Sequence, residues 1–206
     1  MAHLGRPDRE TRLACLLASL APDLDGLGLL LGGDFYERFH HVLLHNLLFG
    51  AVVTVVSGFW IGVRAVPLGL VAAAFLSHLI GDYFGSGPGW GISPYLPFSN
   101  HEYLSAHAWD LTSWQNTTIT AIAIVGVLMI AARRGYTPLE FIHAGADRIV
   151  VDTVRLRVVA TVCIRCERRA YFRCARCRAA MCDQHRDPAG RLQARCVGCA
   201  VPGGAV

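Results

Sequence analysis

Lysine is absent from this chain. All nineteen basic residues are arginine, so the basic count alone does not argue for an acidic partner, and the formal net charge of +4 carries little weight. Charge is scarce overall, at 17% of residues against 53% apolar, and the mean hydropathy of +0.40 lies above that of an average soluble domain. At 206 residues the chain is also too short for many membrane crossings. A small membrane protein is the expectation. Cysteine is nearly missing from residues 1–162, where Cys15 stands alone. The other seven lie between positions 163 and 199, six of them as Cys-x2-Cys pairs and Cys182 spaced likewise with His185, which suggests metal rather than disulfides and a reducing side for the tail. The N-terminal stretch lacks an unbroken apolar core, because Pro22, Asp23 and Asp25 interrupt it, and it reads as mature sequence rather than as a signal peptide.

What is present is apolar and helical in pattern. Segments 42–63, 65–84 and about 113–132 are each near the roughly 20 residues that a span requires. A shorter apolar stretch, 11–21, and the run "GLGLLLGG" flank "PDLD" and suggest a re-entrant or interfacial pair. Between the second and third spans, a loop rich in Gly, Pro and aromatic residues suggests an ordered interfacial cover. After the third span, Thr137, Pro138 and Glu140 form a capping-box signature for a short helix. Residues 148–162 fit either strand or helix. The fold class expected is mainly α: a helical membrane domain with about three spans and re-entrant or interfacial helices, then a small α+β zinc-binding C-terminal domain. The boundaries are 1–135 for the membrane domain, 136–160 for the linker and 161–201 for the zinc domain.

Ionisable groups at membrane depth carry an insertion penalty of about 2.5–3.5 kcal/mol each, so a set of them implies a polar cavity or a bound ion. His41 and His45 are four apart, as are His78 and Asp82, and each pair would share a helix face. Asp23 and Asp25 add carboxylates and His3 adds an imidazole. Imidazole and carboxylate together are the ligands of zinc-like ions, so the inventory suits a multinuclear site of one to three divalent metals. Taken singly, any of these histidines is better read as a hydrogen-bonded helix-packing residue or an interfacial side chain, and it is the set that argues for metal. His101, Glu102 and His107 read as ordinary loop residues, any one of which would suit as an extra ligand or proton donor.

The order "PDLD", "HHVLLHNLLFG", "HLIGDYF", "GPGWGISPYLPFS" resembles the membrane-bound metal-dependent hydrolases labelled LexA-binding, inner-membrane-associated hydrolases, over roughly residues 1–157. That family shows a His-Arg pair and a second His, then His-x-x-x-Asp, then Pro-Phe-Ser. By this resemblance His40 and His45 match the two histidines, His78 and Asp82 the next motif, and Pro97, Phe98 and Ser99 the last. His41 stands where the family has arginine, so a clamp for an anionic substrate is missing, and Val42 and Leu44 replace its Gly and Thr. Helical spacing favours His41 beside His45, whereas the resemblance favours His40.

A more distant likeness to zinc-dependent phospholipases C and single-strand nucleases implies phosphoester hydrolysis, phospholipid included, by metal-activated water. Asp82 would bridge the ions, and Asp23, Asp25 and His45 would take part in catalysis. The competing expectation is a non-catalytic membrane anchor for the C-terminal module.

The tail reads Cys163-x2-Cys166-x7-Cys174-x2-Cys177-x4-Cys182-x2-His185-x10-Cys196-x2-Cys199. Eight ligands in four two-residue knuckles make two tetrahedral zinc sites whose binding drives folding. Seven residues between the first knuckles favour interleaving: Cys163, Cys166, Cys182 and His185 in one site, Cys174, Cys177, Cys196 and Cys199 in the other. The pattern resembles a B-box-type zinc finger, with Cys196 and Cys199 where B-boxes often carry histidines.

The tail holds nine arginines and three acidic residues, but thiolate-rich zinc sites offset much of that charge. Its only aromatics are Tyr171 and Phe172, which leaves no stacking platform for nucleic acid. A protein partner, or anionic lipid, fits better. Arg133, Arg134 and the basic tail place the C-terminus in the cytoplasm of a bacterial or archaeal inner membrane, while arginines 6, 9 and 12 pull the other way. The side on which the site faces stays open.

Overall fold

The computed structural model describes residues 7–158, 161–185 and 195–200, and the chain forms two compact units, Met1–Ile119 and Thr120–Val206. It is mainly helical.

In the first unit, α1 (Arg9–Leu20) starts on Asp8, whose Oδ1 accepts the Thr11 amide at 2.7 Å. This is the standard way to satisfy an orphan N–H in the first turn. Pro22 cannot extend the α-helical ladder, so the chain turns by 51° into a 3₁₀ segment, Pro22–Leu31. The bend falls where a re-entrant or interfacial pair is expected, and its geometry suits a broken span or a re-entrant loop. Then follow α2 (Gly33–Phe39), α3 (Leu47–Ile61) and α4 (Ala65–Gly85).

Small residues let these helices approach closely. Ala14, Ala18 and Ala21 on one stripe of α1 bury against Val71, Phe75 and Leu79, which recur every four residues on α4, with Ile61 and Ile92 completing the core. Gly50 of α3 lies against the Phe75 ring so tightly that an added Cβ would come within 2.7 Å of it.

The first expected span is corrected. Helix α3 has 15 residues, about 22 Å, short of the roughly 30 Å hydrocarbon core. Asn46 is the reason, because its Oδ1 accepts the Phe49 amide at 2.8 Å and fixes the helix start at Leu47, five residues after the expected one. Helix α4 and α5 (Trp114–Arg134) are long and apolar enough to cross, and the bent pair at the N-terminus makes a third candidate. The loop before α5 is anchored by Asn116, which donates to the Gly85 and Leu111 carbonyls and accepts from Trp109 Nε1.

The second unit begins within α5. Gly135, at φ 83°, ends that helix, and Thr137 caps a short 3₁₀ turn, Pro138–Phe141. The capping geometry expected here is present in altered form, since the Thr137 amide and hydroxyl both donate to Asp147 Oδ1. Of residues 148–162, open between strand and helix in the sequence, 148–158 lie in α6 (Ala144–Val158). Helix α6 folds back on the end of α5, where Arg155 Nε donates to the Ala132 carbonyl at 3.1 Å.

It also packs on the cysteine module. Leu156 buries with Ala170 and Ala180, and Asp152 pairs with Arg173 and Arg178. That module holds β1 (Phe172–Arg173) antiparallel to β2 (Ala180–Met181), with Phe172 opposite Met181, then a 3₁₀ turn, Asp183–His185, and α7 (Val197–Ala200).

Candidate metal centres

The three histidines of "HHVLLHNLLFG" reach one place, though not on a helix. His40 caps the C-terminus of α2, His41 adopts φ 67°, and His45 immediately precedes the Asn46 cap. The shared helix face expected for His41 and His45 is therefore absent. A left-handed turn brings them together instead, their rings 4.6 Å apart and nearly parallel. His78 and Asp82 do share a face of α4, and Asp23 arrives on the first turn after Pro22.

The polar atoms of these residues converge. His78 Nε2 lies 3.1 Å from Asp82 Oδ2 and 3.4 Å from Asp23 Oδ1, while His45 Nε2 lies 3.2 Å from Asp82 Oδ2 and 3.8 Å from Asp23 Oδ1. Ligands around a tetrahedral zinc-like ion stand roughly 3.3 Å apart, given bonds of about 2.0–2.2 Å. His41 Nδ1, His45 Nε2, His78 Nε2 and Asp82 Oδ2 are all buried, and although His45 and His78 stand at ion-pair distance from Asp82, none of the four atoms makes a hydrogen bond of good geometry. Several imidazole nitrogens crowded around one carboxylate oxygen, none of them in a well-formed hydrogen bond, is an arrangement that fits a cation. Two overlapping ligand groups result, Asp23 with His45 and His78, and His41 with His45 and Asp82.

Asp25 stands behind this cluster. Its fully buried carboxylate meets His40 Nδ1 at 2.7 Å through Oδ1, and through Oδ2 meets His45 Nδ1 at 3.1 Å and the Leu44 amide at 3.3 Å. Both of its oxygens are thus turned to the backs of the imidazoles. His40, with Nδ1 on Asp25 and its ring stacked on Tyr36 at 4.5 Å, likewise lies outside the two ligand groups. Asp82 divides its oxygens, Oδ1 accepting from Ser86 Oγ at 3.2 Å and Oδ2 facing the cluster. His3 lies outside the described residues.

Beside the cluster, and sharing His41 with it, opens a cleft of about 520 Å³ whose wall includes Arg38, His40 and Trp90. Trp90 sets its ring 5.9 Å from His40 and 5.5 Å from His41. The sequence reading singled out neither Trp90 nor Arg38. A tryptophan inside a Gly-rich loop, and an arginine two residues before the histidine pair, were the available signals.

Glu102 shapes the same cleft by accepting the Gly91 amide at 3.2 Å. His101 stacks on Tyr103. The Pro97-Phe98-Ser99 stretch does not join the ligands, and Phe98 is 85% exposed.

In the tail, Cys163, Cys166, Cys182 and His185 come together, and so do Cys174, Cys177 and Cys196. The Cys199 side chain lies outside the described residues. Separations of 3.5 Å for Cys166–Cys182, 3.7 Å for Cys177–Cys196 and 3.3–3.6 Å from the sulfurs to His185 Nδ1 are far longer than a disulfide. They fit the edges of a zinc tetrahedron, roughly 3.5–3.8 Å where sulfur is a ligand. Burial opposes the thiolate at Cys163 and at Cys174, but backbone amides, that of Arg165 foremost for Cys163 and that of Cys177 for Cys174, bring both thiols down to about 6. The thiolate is the form a metal binds.

Two helices of spanning length, and a buried carboxylate–imidazole cluster drawn in part from α4 and the bent N-terminal pair, define a helical membrane protein with candidate metal-binding residues. Residues 2–163 match the YdjM inner membrane protein family, and the chain belongs to it. No curated protein and no solved structure matches the chain. The family match ends where the cysteine module begins, at Cys163.

Proposed function

We propose that the membrane domain is a metal-dependent hydrolase of phosphoester bonds, phospholipids among them, and that the appended module is a two-zinc, B-box-like interaction domain. The observation that supports the first part is the convergence of buried imidazole nitrogens of His41, His45 and His78 with Asp82 Oδ2, without a well-formed hydrogen bond among them. With Asp23, these residues would hold one or more divalent ions, most naturally zinc given the ligand types. A bound ion of this kind supplies Lewis acidity and a water of lowered pKa.

The chain's own residues do the rest. Asp25 accepts the His45 Nδ1 proton and so leaves Nε2 bare toward the cluster. Asp23, half exposed, is the carboxylate placed to take a proton from water. Arg38 on the cleft wall offers a guanidinium to an anionic substrate, the role that a family arginine at position 41 would fill. The inner membrane is the location this reading requires, with the C-terminal module cytoplasmic by the arginine bias of residues 133, 134 and the tail.

The test is turnover of phosphodiester and phospholipid substrates by the metal-loaded full chain, with His45→Ala and Asp82→Ala as controls. Turnover that both substitutions abolish supports the proposal. A metal-loaded protein with no turnover on either substrate class would favour the anchor reading.

A further inference from the structure

The cysteine module carries a surface that neither its ligands nor its core explain. Val162 and Ile164 flank buried Cys163 at the start of the first knuckle. They are 54% and 68% exposed. Val197, half exposed on α7, belongs to the same region, since a Cβ on its neighbour Gly198 would lie 3.0 Å from Arg165 Nη2. Arg165 and Arg168 are exposed in the same knuckle, with Glu167 between them. Apolar tips ringed by arginine suit an interface that is oily below and anionic above.

The second unit also fixes where this surface stands. Arg155 touches the Ala132 carbonyl at the last turn of α5, which ends in Arg133 and Arg134, and its neighbour Leu156 is buried against Ala170 and Ala180 of the module. Asp152, a turn earlier, holds Arg173 and Arg178. The module is therefore held at the point where a spanning helix leaves the bilayer. We propose that Val162, Ile164 and Val197, with Arg165 and Arg168, dock the module onto anionic phospholipid headgroups beside α5. This does not depend on the hydrolase reading, and it rests on the zinc reading only through the folding of the knuckle.

The experiment uses the full chain, zinc content measured, in nanodiscs of phosphatidylcholine alone and with phosphatidylglycerol, followed by amide hydrogen exchange across residues 162–169. Exchange several-fold slower on the anionic discs, reversed by high salt, is expected. Protection should weaken roughly fivefold for each arginine removed in Arg165→Ser and Arg168→Ser. It should also be lost in Ile164→Ser, with α6 unchanged in every case.

Equal exchange on both disc types overturns the proposal. So does protection that persists in neutral detergent, which would mean internal packing or a protein contact. If Ile164→Ser loses zinc, the lipid and salt dependence of the unaltered chain decides. If the unaltered chain itself holds no zinc yet shows the lipid-dependent protection, the zinc reading fails and the docking stands.

Discussion

The carboxylate of Asp25 lies 3.1 Å from Nδ1 of His45, and both side chains are fully buried. A carboxylate behind a ligating imidazole fixes its tautomer and raises its basicity, and losing such a partner typically weakens a metal by 10–100-fold. The proposed metal centre would give Asp25 that role, because one oxygen each for His40 and His45 leaves none turned toward Asp82 and His78.

Asp25→Asn is accordingly expected to retain the membrane-site metal with affinity lowered about 10–100-fold. His45→Ala or Asp82→Ala, which remove an atom facing the cluster, should abolish binding. Competition titration with a chelating dye on detergent-solubilised protein separates the two outcomes. Equal loss in Asp25→Asn and Asp82→Ala would make Asp25 a ligand.

Gly50→Ala should destabilise the first unit by about 1–3 kcal/mol, because its methyl would press on the Phe75 ring at 2.7 Å. Adding Phe75→Leu should recover part of that loss. Denaturant unfolding in micelles reads both, and additive effects would show that the two sites do not meet.

Much of the membrane site was legible as chemistry and little of it as geometry. His78 and Asp82 sit four apart on a real helix, so their shared face follows from the sequence. For His41 and His45 the same spacing misleads, because Asn46 starts α3 later and His41 turns left-handed. The sequence left His40 and His41 open, and burial turns the Nδ1 of His40 to Asp25 while His41 joins His45. Residue type marks Asp25 as ligand-capable, but only the fold decides what its oxygens face. The cysteine pairing was more legible, because two-residue knuckles constrain their own geometry. That α6 packs on the module, through Leu156 and Asp152, left no periodic signal in residues 148–162.

Asp8 provides a pH test outside the membrane segments. The Thr11 backbone amide, then the Thr11 hydroxyl and Arg64, hold its carboxyl down at about 2. A depressed carboxylate stabilises the fold above its unfolded value near 4, and that contribution is lost only as pH falls through about 2. The cap should therefore be intact at pH 5. Asp8→Ala is expected to lose about 1 kcal/mol at both pH 7 and pH 5, and Asp8→Asn, which still caps, much less. Thermal melts at the two pH values check this, and a cap effect confined to pH 7 would contradict it.

Asp152→Ala should loosen the cysteine module from α6 by removing the carboxylate that holds Arg173 and Arg178, while leaving zinc in place. Faster hydrogen exchange in β1 and β2 with unchanged metal content is the expected signature. Unchanged exchange would mean that Leu156 packing alone suffices.

The central claim is that the first unit holds metal of its own, and elemental analysis of the purified full chain tests it most directly. The account predicts more than two divalent ions per chain, falling to two in His45→Ala/Asp82→Ala, with the remaining two lost when the tail cysteines are replaced. Two ions in the unaltered chain, still two in the double variant and none without the cysteines, would contradict it.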